Sequence, residues 1–167
     1  MSEPRPNTAQ FPPEEIGAFL RCCAGEWMGL RSQFALGEVS AGDDDDDGWH
    51  TSDRGELVVA FLEAETAGGA GGLQVGQKDA VAQQQLHFDA EGGFRSGEQQ
   101  GRWQLWPDGS LELVIPGDGR EVRERIWFTK PNLRLRSTVE TSADGSPGRA
   151  SFSSEIRRVS RPSVPAS

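Results

Sequence analysis

The stretch IWFTKPNLRLRSTVE, residues 126–140, decides how this chain folds. Leu133 and Leu135 alternate with Arg134 and Arg136, and alternation with a period of two residues is typical of a β-strand whose two faces meet different surroundings. In an ordinary sheet the leucines would face a core and the arginines would face water. In a hollow barrel the arginines could instead face inward, toward an anionic ligand. The pattern by itself leaves both orientations open.

Further segments on both sides of this stretch are also strand-like. They are WMGLRSQFAL, WHTSDRGELVVAFLEA, VAQQQLHFDA, GRWQLW, SLELVI, EVRERIWFT, NLRLRSTVE and RASFSSEIRRVS. The linkers PDG, GDG and ADGSPG contain glycines, which supply the positive φ that tight hairpins need. Eight or nine strands at regular spacing predict an antiparallel up-and-down barrel or a sandwich.

A short helix is predicted before the first strand. Pro12 or Pro13 can begin it, with acidic residues in its first turn. The apolar residues that recur at helical spacing are Ile16, Phe19, Leu20 and Cys23. We expect Gly25 to end the helix as a left-handed cap.

The length of 167 residues predicts a single domain. We expect residues 1–11 to be disordered, residues 12–161 to form the domain, and residues 162–167 to be a disordered tail. The net charge of −9 argues against nucleic acid and anionic membrane surfaces as partners. The sequence has neither a long apolar run nor the features of a secretory signal, so we expect a cytoplasmic protein without membrane insertion. The adjacent Cys22 and Cys23 lack the spacing of a disulfide framework, and we expect reduced thiols.

Motifs of the common catalytic classes are absent from the sequence. Asp43–Asp47 are consecutive, whereas calcium ligands are spaced, so we interpret this run as a solvated loop. The glycine-rich segment Gly68–Gly76 lacks the Lys-Ser/Thr of a P-loop, and we interpret it as a flexible linker. Neither His50 nor His87 accompanies a nucleophile motif, and no cluster has zinc spacing. The hydrolase, kinase and metalloenzyme classes are therefore unsupported.

Two polar strand faces are expected to lie side by side. NLRLRSTVE has Arg134 and Arg136 on one face. In ASFSSEIRRV, one face carries Phe152 and Ile156, and the other carries Ser151, Ser153, Glu155 and Arg157. A short turn joins the two strands, so they should pair. The resulting patch is either solvated, because buried charge is costly unless paired, or directed into a cavity that suits a dicarboxylate ligand.

Three segments make the chain similar to the CpcS/CpeS-type phycobiliprotein lyases: AGEWMGLRS, ERIWFTKPNLRLRSTV and ASFSSEIR. The resemblance implies a lipocalin-like (calycin) antiparallel up-and-down β-barrel of about ten strands with a short N-terminal helix. It also implies a function in a phycobilisome-containing phototroph, as a lyase that attaches a phycobilin to a cysteine of an apo-phycobiliprotein. The bilin, a linear tetrapyrrole such as phycocyanobilin or phycoerythrobilin, is then the transferred substrate, and no prosthetic group is expected. Such an enzyme acts by orienting the bilin and needs no nucleophile of its own.

The resemblance also implies roles for individual residues. The candidate propionate anchors are Arg31, Arg134 and Arg136. Glu155 is the catalytic candidate because it would govern protonation of the pyrroles, with Glu124 as a second candidate in that role. Ser153 is a candidate polar contact, and Phe88 can stack on a pyrrole. Gly25 and Trp27 form the G-x-W that begins the first strand of lipocalin-type barrels, where the tryptophan closes one end and packs under a late-strand arginine.

The chain departs from the family pattern at several positions. The pattern has a histidine where this chain has Phe34, and two tryptophans where it has Ala82 and Phe88. Either the chain is a lyase for a different bilin or acceptor site, or it is a CpcU-like subunit that needs a CpcS-type partner; the departures favour the second. A homodimer is the other assembly that we consider. The alternatives without transfer activity are a lipocalin-like bilin carrier and a non-catalytic partner subunit.

Overall fold

Ten antiparallel strands form a closed barrel in the computed structural model, which describes residues 11–35, 50–64 and 68–159. Helix α1 (Ile16–Cys23) precedes the strands. The strands are β1 (Gly25–Ala35), β2 (His50–Leu62), β3 (Gly69–Gln77), β4 (Gln83–Asp89), β5 (Gly93–Ser96), β6 (Gln99–Leu105), β7 (Leu111–Gly117), β8 (Arg120–Lys130), β9 (Leu133–Ser142) and β10 (Pro147–Arg157). Each pairs with its neighbours in sequence, and β1 pairs with β10 to close the barrel. The expected up-and-down barrel with an N-terminal helix is confirmed.

Some of the expectations concern parts of the chain outside the described residues. They are the solvated loop at Asp43–Asp47, the tail at 162–167 and almost all of the N-terminal segment 1–11. Within the described part, no helix is long and apolar enough to cross a membrane.

Helix α1 begins and ends differently from the sequence-based expectation. Its N-cap is Glu15, so both prolines precede the helix and its first turn holds no acidic residue. Its C-cap is Ala24, which has an extended backbone. Gly25 has a φ of +140° and is the first residue of β1, so the left-handed cap expected there is wrong. The chain passes directly from helix to strand, and a Cβ on Gly25 would lie only 3.4 Å from Cδ of Arg157.

The glycine-rich segment interpreted as a linker is strand β3, so that interpretation is wrong. Leu73 is buried in the core, and Val75 packs against it. Gly72 allows β4 to approach closely, because a Cβ at this position would overlap the backbone carbonyl oxygen of Leu86. Glycine is rare in strands because it has no side chain to pack, but here the close approach of a neighbouring strand requires it.

Gly72→Ala is expected to lower the free energy of unfolding by about 1–3 kcal/mol, since it overpacks the junction of β3 with β4. Gly55→Ala on β2 is the matched control, because a Cβ there would meet no atom within 4 Å. Urea denaturation followed by circular dichroism measures both variants. Equal stability of the two would contradict the packing argument.

The closed end of the barrel holds the apolar core. Helix α1 covers this end, and its Phe19 and Leu20 are fully buried. Their neighbours from the barrel wall include Trp27, Val59, Leu73, Phe88, Phe94, Leu111, Ile126 and Phe128. The helix and these side chains seal one end, so that a ligand can reach the interior only from the other end or through the wall.

Trp27 lies at the centre of this closed end. Its Nε1 donates a hydrogen bond of 2.9 Å to the carbonyl oxygen of Cys23. The Arg157 guanidinium lies 4.5 Å from the ring centroid and that of Arg134 lies 4.7 Å from it. Both distances are within cation–π range. Arg157 of β10 is thus the late-strand arginine that packs on Trp27, and Arg134 is a second one.

Candidate functional site

The arginine face of β9 lies inside the barrel. Arg134 is only 3% exposed, and Arg136 is largely buried. By the alternation of a strand, Leu133 and Leu135 lie on the outer wall. The stretch 126–140 therefore turns its charged face inward, the reverse of the ordinary arrangement in a sheet.

Glu155 on β10 lies between the two arginines. The register pairs Glu155 with Arg134, and Ser153 with Arg136. Arg134 Nε donates a hydrogen bond of 3.0 Å to Oε1 of Glu155. Arg136 Nε lies 2.9 Å from the same oxygen, but its N–H direction makes no hydrogen bond and the atom is buried without a partner. Arg136 Nη1 donates instead to Oε1 of Glu124 at 3.2 Å. Two arginines and two carboxylates thus form one ionic cluster in the interior.

The charge states at the base of this cluster follow from burial. Burial raises the pKa of the Cys23 thiol, and the nearby Arg134 only partly offsets this. Burial acts to lower the pKa of Arg134, but the interactions with Cys23 and Glu155 outweigh it and the pKa is raised. Because burial favours the neutral Cys23 thiol, the ion pair with Glu155 is the contact that balances the Arg134 cation.

A cavity of about 110 Å³ lies beside the ionic cluster. Its polar lining comprises Arg31, Asp53, Glu56, Gln77, Arg136, Ser153 and Glu155. The strand register explains this convergence, because Arg31 of β1 pairs with Ser153 on one side and with Asp53 on the other. Four of the predicted site residues, Arg31, Arg136, Ser153 and Glu155, are thereby brought together.

Two features of this cavity were not identified from the sequence. Asp53 faces Arg31 across the β1–β2 ladder and adds a third carboxylate to the lining, beside Glu56 and Glu155. Gly29 leaves space beside Glu155, because a Cβ there would lie 3.5 Å from Cγ of Glu155. Alternation along β1 could have indicated Gly29, since it shares a face with Trp27 and Arg31.

Other predicted site residues lie elsewhere. Arg134 is absent from the cavity lining, and its guanidinium contacts the Trp27 ring and Glu155. Phe88 is 3% exposed and stacks on Phe94 in the apolar core, with the ring centroids 5.6 Å apart. Phe34 is an odd number of residues from Arg31, so it lies on the outer face of β1. A histidine at this position would therefore also face outward, so its replacement by Phe34 leaves the interior unchanged.

The interior has a charged half and an apolar half. The charged half comes from β1, β2 and β8–β10. Partly buried apolar side chains of the remaining strands form the other half: Val75, Leu86, Trp103, Leu105 and Ile115. Within the described residues, no group of His, Cys, Asp and Glu could hold a metal ion. Such an interior suits an organic ligand with an apolar body and acidic groups.

These features define a lipocalin-like binding barrel with an ionic cluster at the floor of its cavity. Comparisons with known proteins agree with this class. The family model described as CpeS-like protein matches residues 91–158. Over 93% of its length the chain is 42% identical to the chromophore lyase CpcS/CpeS 1 of Paulinella chromatophora, of which it covers 96%. Over 48% of its length it is 41% identical to the chromophore lyase CpcS/CpeS 1 of Trichodesmium erythraeum, of which it covers 45%.

The fold is also similar to that of a solved relative. The S-type phycobiliprotein lyase CPES of Guillardia theta superimposes with a TM-score of 0.64 at 19% identity, over 88% of this chain and 94% of that one. The chain belongs to the CpcS/CpeS chromophore lyase family, and the resemblance expected from its three segments is confirmed.

Proposed function

We propose that this chain is a chromophore lyase that binds a phycobilin in its barrel and transfers it to a cysteine of an apo-phycobiliprotein. The observation that carries the proposal is the buried Glu155, held between Arg134 and Arg136 at the edge of a polar cavity. A charged interior costs stability unless its charges are paired, and an interior of this kind suits a charged ligand. Membership of the chromophore lyase family supports the same function.

The propionates of the bilin bind the arginines that have free donors. Arg31 makes no ion pair within the described residues, and Arg136, whose side chain is 28% exposed, lines the cavity beside it. Guanidinium groups bind carboxylates through charge-assisted and often bidentate hydrogen bonds. Arg31 and Arg136 are therefore the propionate anchors. Arg134 is a positioning residue, since its guanidinium holds Glu155 rather than lining the cavity.

Glu155 stabilises the protonated pyrroles of the bilin. One of its oxygens, Oε1, accepts the hydrogen bond from Arg134, while the residue itself lines the cavity. An anion at this point favours the cationic form of a bound pyrrole system by direct electrostatic attraction. Ser153, buried next to it, can donate a hydrogen bond to the same ligand.

The transfer itself needs no oxidant. The acceptor's thiol sulfur bonds to the exocyclic carbon of the A-ring ethylidene group, and the thiol proton ends on the adjacent ring carbon. One S–H bond and one C=C π bond are replaced by one C–S and one C–H bond. The lyase contributes by holding the bilin in one conformer, which makes the addition depend on orientation.

Arg31→Ala and Arg136→Ala are each expected to reduce transfer about 10- to 100-fold, because a hydrogen bond to a charged group contributes about 1.5–3 kcal/mol. The readout is covalent bilin on an apo-phycobiliprotein co-expressed with bilin-synthesising enzymes, detected by zinc-enhanced fluorescence after denaturing electrophoresis. Arg102→Ala, an exposed arginine of β6, is the control. Transfer by either cavity variant at the rate of the control would contradict the anchor assignment.

The same experiment separates the candidate functions. Transfer by this chain alone identifies a complete lyase, and transfer only with a CpcS-type partner identifies a CpcU-like subunit. A colour shift on bilin binding without transfer identifies a carrier. Substituting bilins in the assay determines whether phycocyanobilin or phycoerythrobilin is used. The cytoplasmic location stays a prediction.

We also propose that the chain pairs with a second copy through the outer wall formed by β1 and β8–β10. Several apolar side chains of this wall are exposed: Ile156 by 60%, Met28 by 51%, Leu30 by 44% and Phe152 by 42%. The register places Met28 beside Ile156, and Trp127 packs near Phe152. Contiguous exposed apolar surface indicates an interaction site. Because the chain carries a net charge of −9, two copies meet most favourably on a face whose centre is apolar.

Ile156→Glu is expected to weaken this pairing at least about tenfold, since it places a charge at the centre of an apolar contact. Size-exclusion chromatography with light scattering measures the mass as a function of concentration. Val81→Glu is the control, because Val81 is fully exposed in the β3–β4 turn, away from this wall. A monomeric wild type that pairs only with a CpcS-type partner would replace the homodimer with the heterodimer. An unchanged mass for Ile156→Glu would exclude this wall as the interface.

A further inference from the structure

The barrel wall is incompletely joined between β4 and β5. The two strands pair only at His87 with Arg95 and at Phe88 with Phe94. Toward the open end, the residues 83–86 of β4 pair with β3 alone, and β5 turns away at Gly97, which has a φ of +60°. We call this opening, bounded by residues 83–87 and 95–99, the β4–β5 notch.

The notch holds a cavity of about 660 Å³. Gln84 and Ser96 face inward along their strands, and Gln84 Nε2 donates a hydrogen bond of 2.7 Å to Oγ of Ser96. Gln85 and Arg95 line the same cavity from the outer face of their strands. Because side chains of both faces line it, the cavity lies at the gap in the barrel wall and opens to the outside.

The notch has the volume that the charged cavity lacks. Pockets for organic ligands of drug size occupy about 300–1,000 Å³. The charged cavity measures about 110 Å³, so it accommodates acidic groups but not a whole tetrapyrrole. The two cavities lie on neighbouring strands, because Gln77 of the charged cavity belongs to β3, and Val75 of the same strand pairs with Gln84 of the notch. A bilin anchored at Arg31 and Arg136 therefore extends toward the notch.

The lining of the notch matches a neutral amide. Arg95 is the one permanently charged residue in this lining. Four glutamines supply most of the rest: Gln83, Gln84, Gln85 and Gln99. The terminal rings of a linear tetrapyrrole are lactams, each with one N–H donor and one C=O acceptor. A glutamine amide offers the complementary acceptor and donor. A carboxylate can bind only one arginine in the notch, Arg95, whereas the charged cavity offers two, Arg31 and Arg136.

We infer that the β4–β5 notch binds a terminal lactam ring of the bilin and exposes it through the barrel wall to the acceptor's thiol. The inference rests on the proposed lyase function and assigns the place of transfer within it. The propionates bind inside the barrel, whereas the reacting ring lies in the wall. The acceptor then approaches the side of the barrel between β4 and β5 rather than its closed end.

The test blocks the notch reversibly. Gln85→Cys is labelled with a bulky methanethiosulfonate reagent, which dithiothreitol removes. Val81→Cys with the same label is the matched control, since Val81 is exposed but does not line the notch. Wild type with the same reagent controls for the native Cys22 and Cys23. Bilin uptake is followed by the visible absorption shift, and transfer by covalent bilin on the acceptor.

Labelled Gln85→Cys is expected to transfer bilin at least about tenfold more slowly than unlabelled Gln85→Cys and to return to the unlabelled rate after dithiothreitol, whereas the label is expected to change transfer by Val81→Cys little. Loss of bilin uptake together with transfer supports the notch equally, since the ring then has no place to bind. Equal uptake and equal transfer by the two labelled variants would overturn the inference while leaving the lyase function intact. A wild type that neither binds bilin nor transfers it would overturn the proposed function, and with it this inference.

Discussion

Glu155→Ala is expected to lower the free energy of unfolding by about 3–5 kcal/mol, because it leaves Arg134 as a buried cation without its anion. Both side chains are 3% exposed, and their ion pair measures 3.0 Å. Urea denaturation followed by tryptophan fluorescence measures the effect.

Two further variants test the cause of this loss. Glu124→Ala breaks the partly exposed ion pair with Arg136 and is expected to cost less than about 1 kcal/mol. Replacing the buried pair together, as Arg134→Met with Glu155→Leu, is expected to recover much of the stability lost in Glu155→Ala, because no unpaired charge remains. If Glu155→Ala were no less stable than Glu124→Ala, the ionic cluster would not be the buried pair that its geometry indicates.

The proposed catalytic role of Glu155 is tested with a substitution that keeps nearly the same side-chain shape. Glu155→Gln keeps the side-chain volume but removes the anion that we propose stabilises the protonated pyrroles. Transfer is expected to fall about 100-fold, and the absorption shift of bound bilin is expected to diminish, since the protonated chromophore loses its counter-ion. Transfer at the wild-type rate with an unchanged absorption shift would remove Glu155 from the catalytic role.

Trp27→Ala is expected to lower the free energy of unfolding by about 3–5 kcal/mol, in the range of large-to-small substitutions of buried aromatic residues. Trp27 is 1% exposed, and the guanidinium groups of Arg134 and Arg157 lie 4.7 and 4.5 Å from its ring centroid. The substitution removes the packing beneath helix α1 and the cation–π contacts of both arginines.

Trp127→Ala is the matched control for this change. Trp127 lies on the outer wall, with its ring centroid 6.3 Å from that of Phe152. Because its loss leaves no internal cavity, it is expected to destabilise by less than about 1.5 kcal/mol. Trp27→Phe, which retains an aromatic ring but loses the hydrogen bond to Cys23, should lie between the two. Equal denaturation midpoints for Trp27→Ala and Trp127→Ala would show that Trp27 does not support the closed end.

Much of the candidate site could be predicted from the sequence because its residues lie on two consecutive strands. The turn between β9 and β10 fixes their pairing, so Arg134, Arg136, Ser153 and Glu155 were expected to be neighbours. Their separate roles were not predictable. Arg134 and Arg136 share a strand face, but only Arg136 lines the cavity. Arg134 lies two residues closer to the closed end of the barrel, where it contacts the Trp27 ring.

Other parts of the fold depend on contacts between segments distant in sequence. Strand β3 was interpreted as a linker because its glycines weaken every local strand signal, yet β2 and β4 supply its hydrogen bonds. The short β5 was not identified, since four residues with one glycine carry little pattern. The notch beside β5 was therefore also beyond sequence reasoning, because it exists only where two strands fail to remain paired.

The sequence by itself determined most of the strands, their hairpin order and the chemistry of each strand face, since alternation and turn residues are local properties. The tertiary structure alone decided which face is inside. A period of two residues is symmetric under exchange of the faces, so the pattern of β9 fits either orientation. Closure of β1 on β10, with the apolar residues of helix α1 filling one end, fixed which face of β9 lies inside the barrel. It placed the arginines within reach of a buried carboxylate, while Leu133 and Leu135 remained on the outer wall.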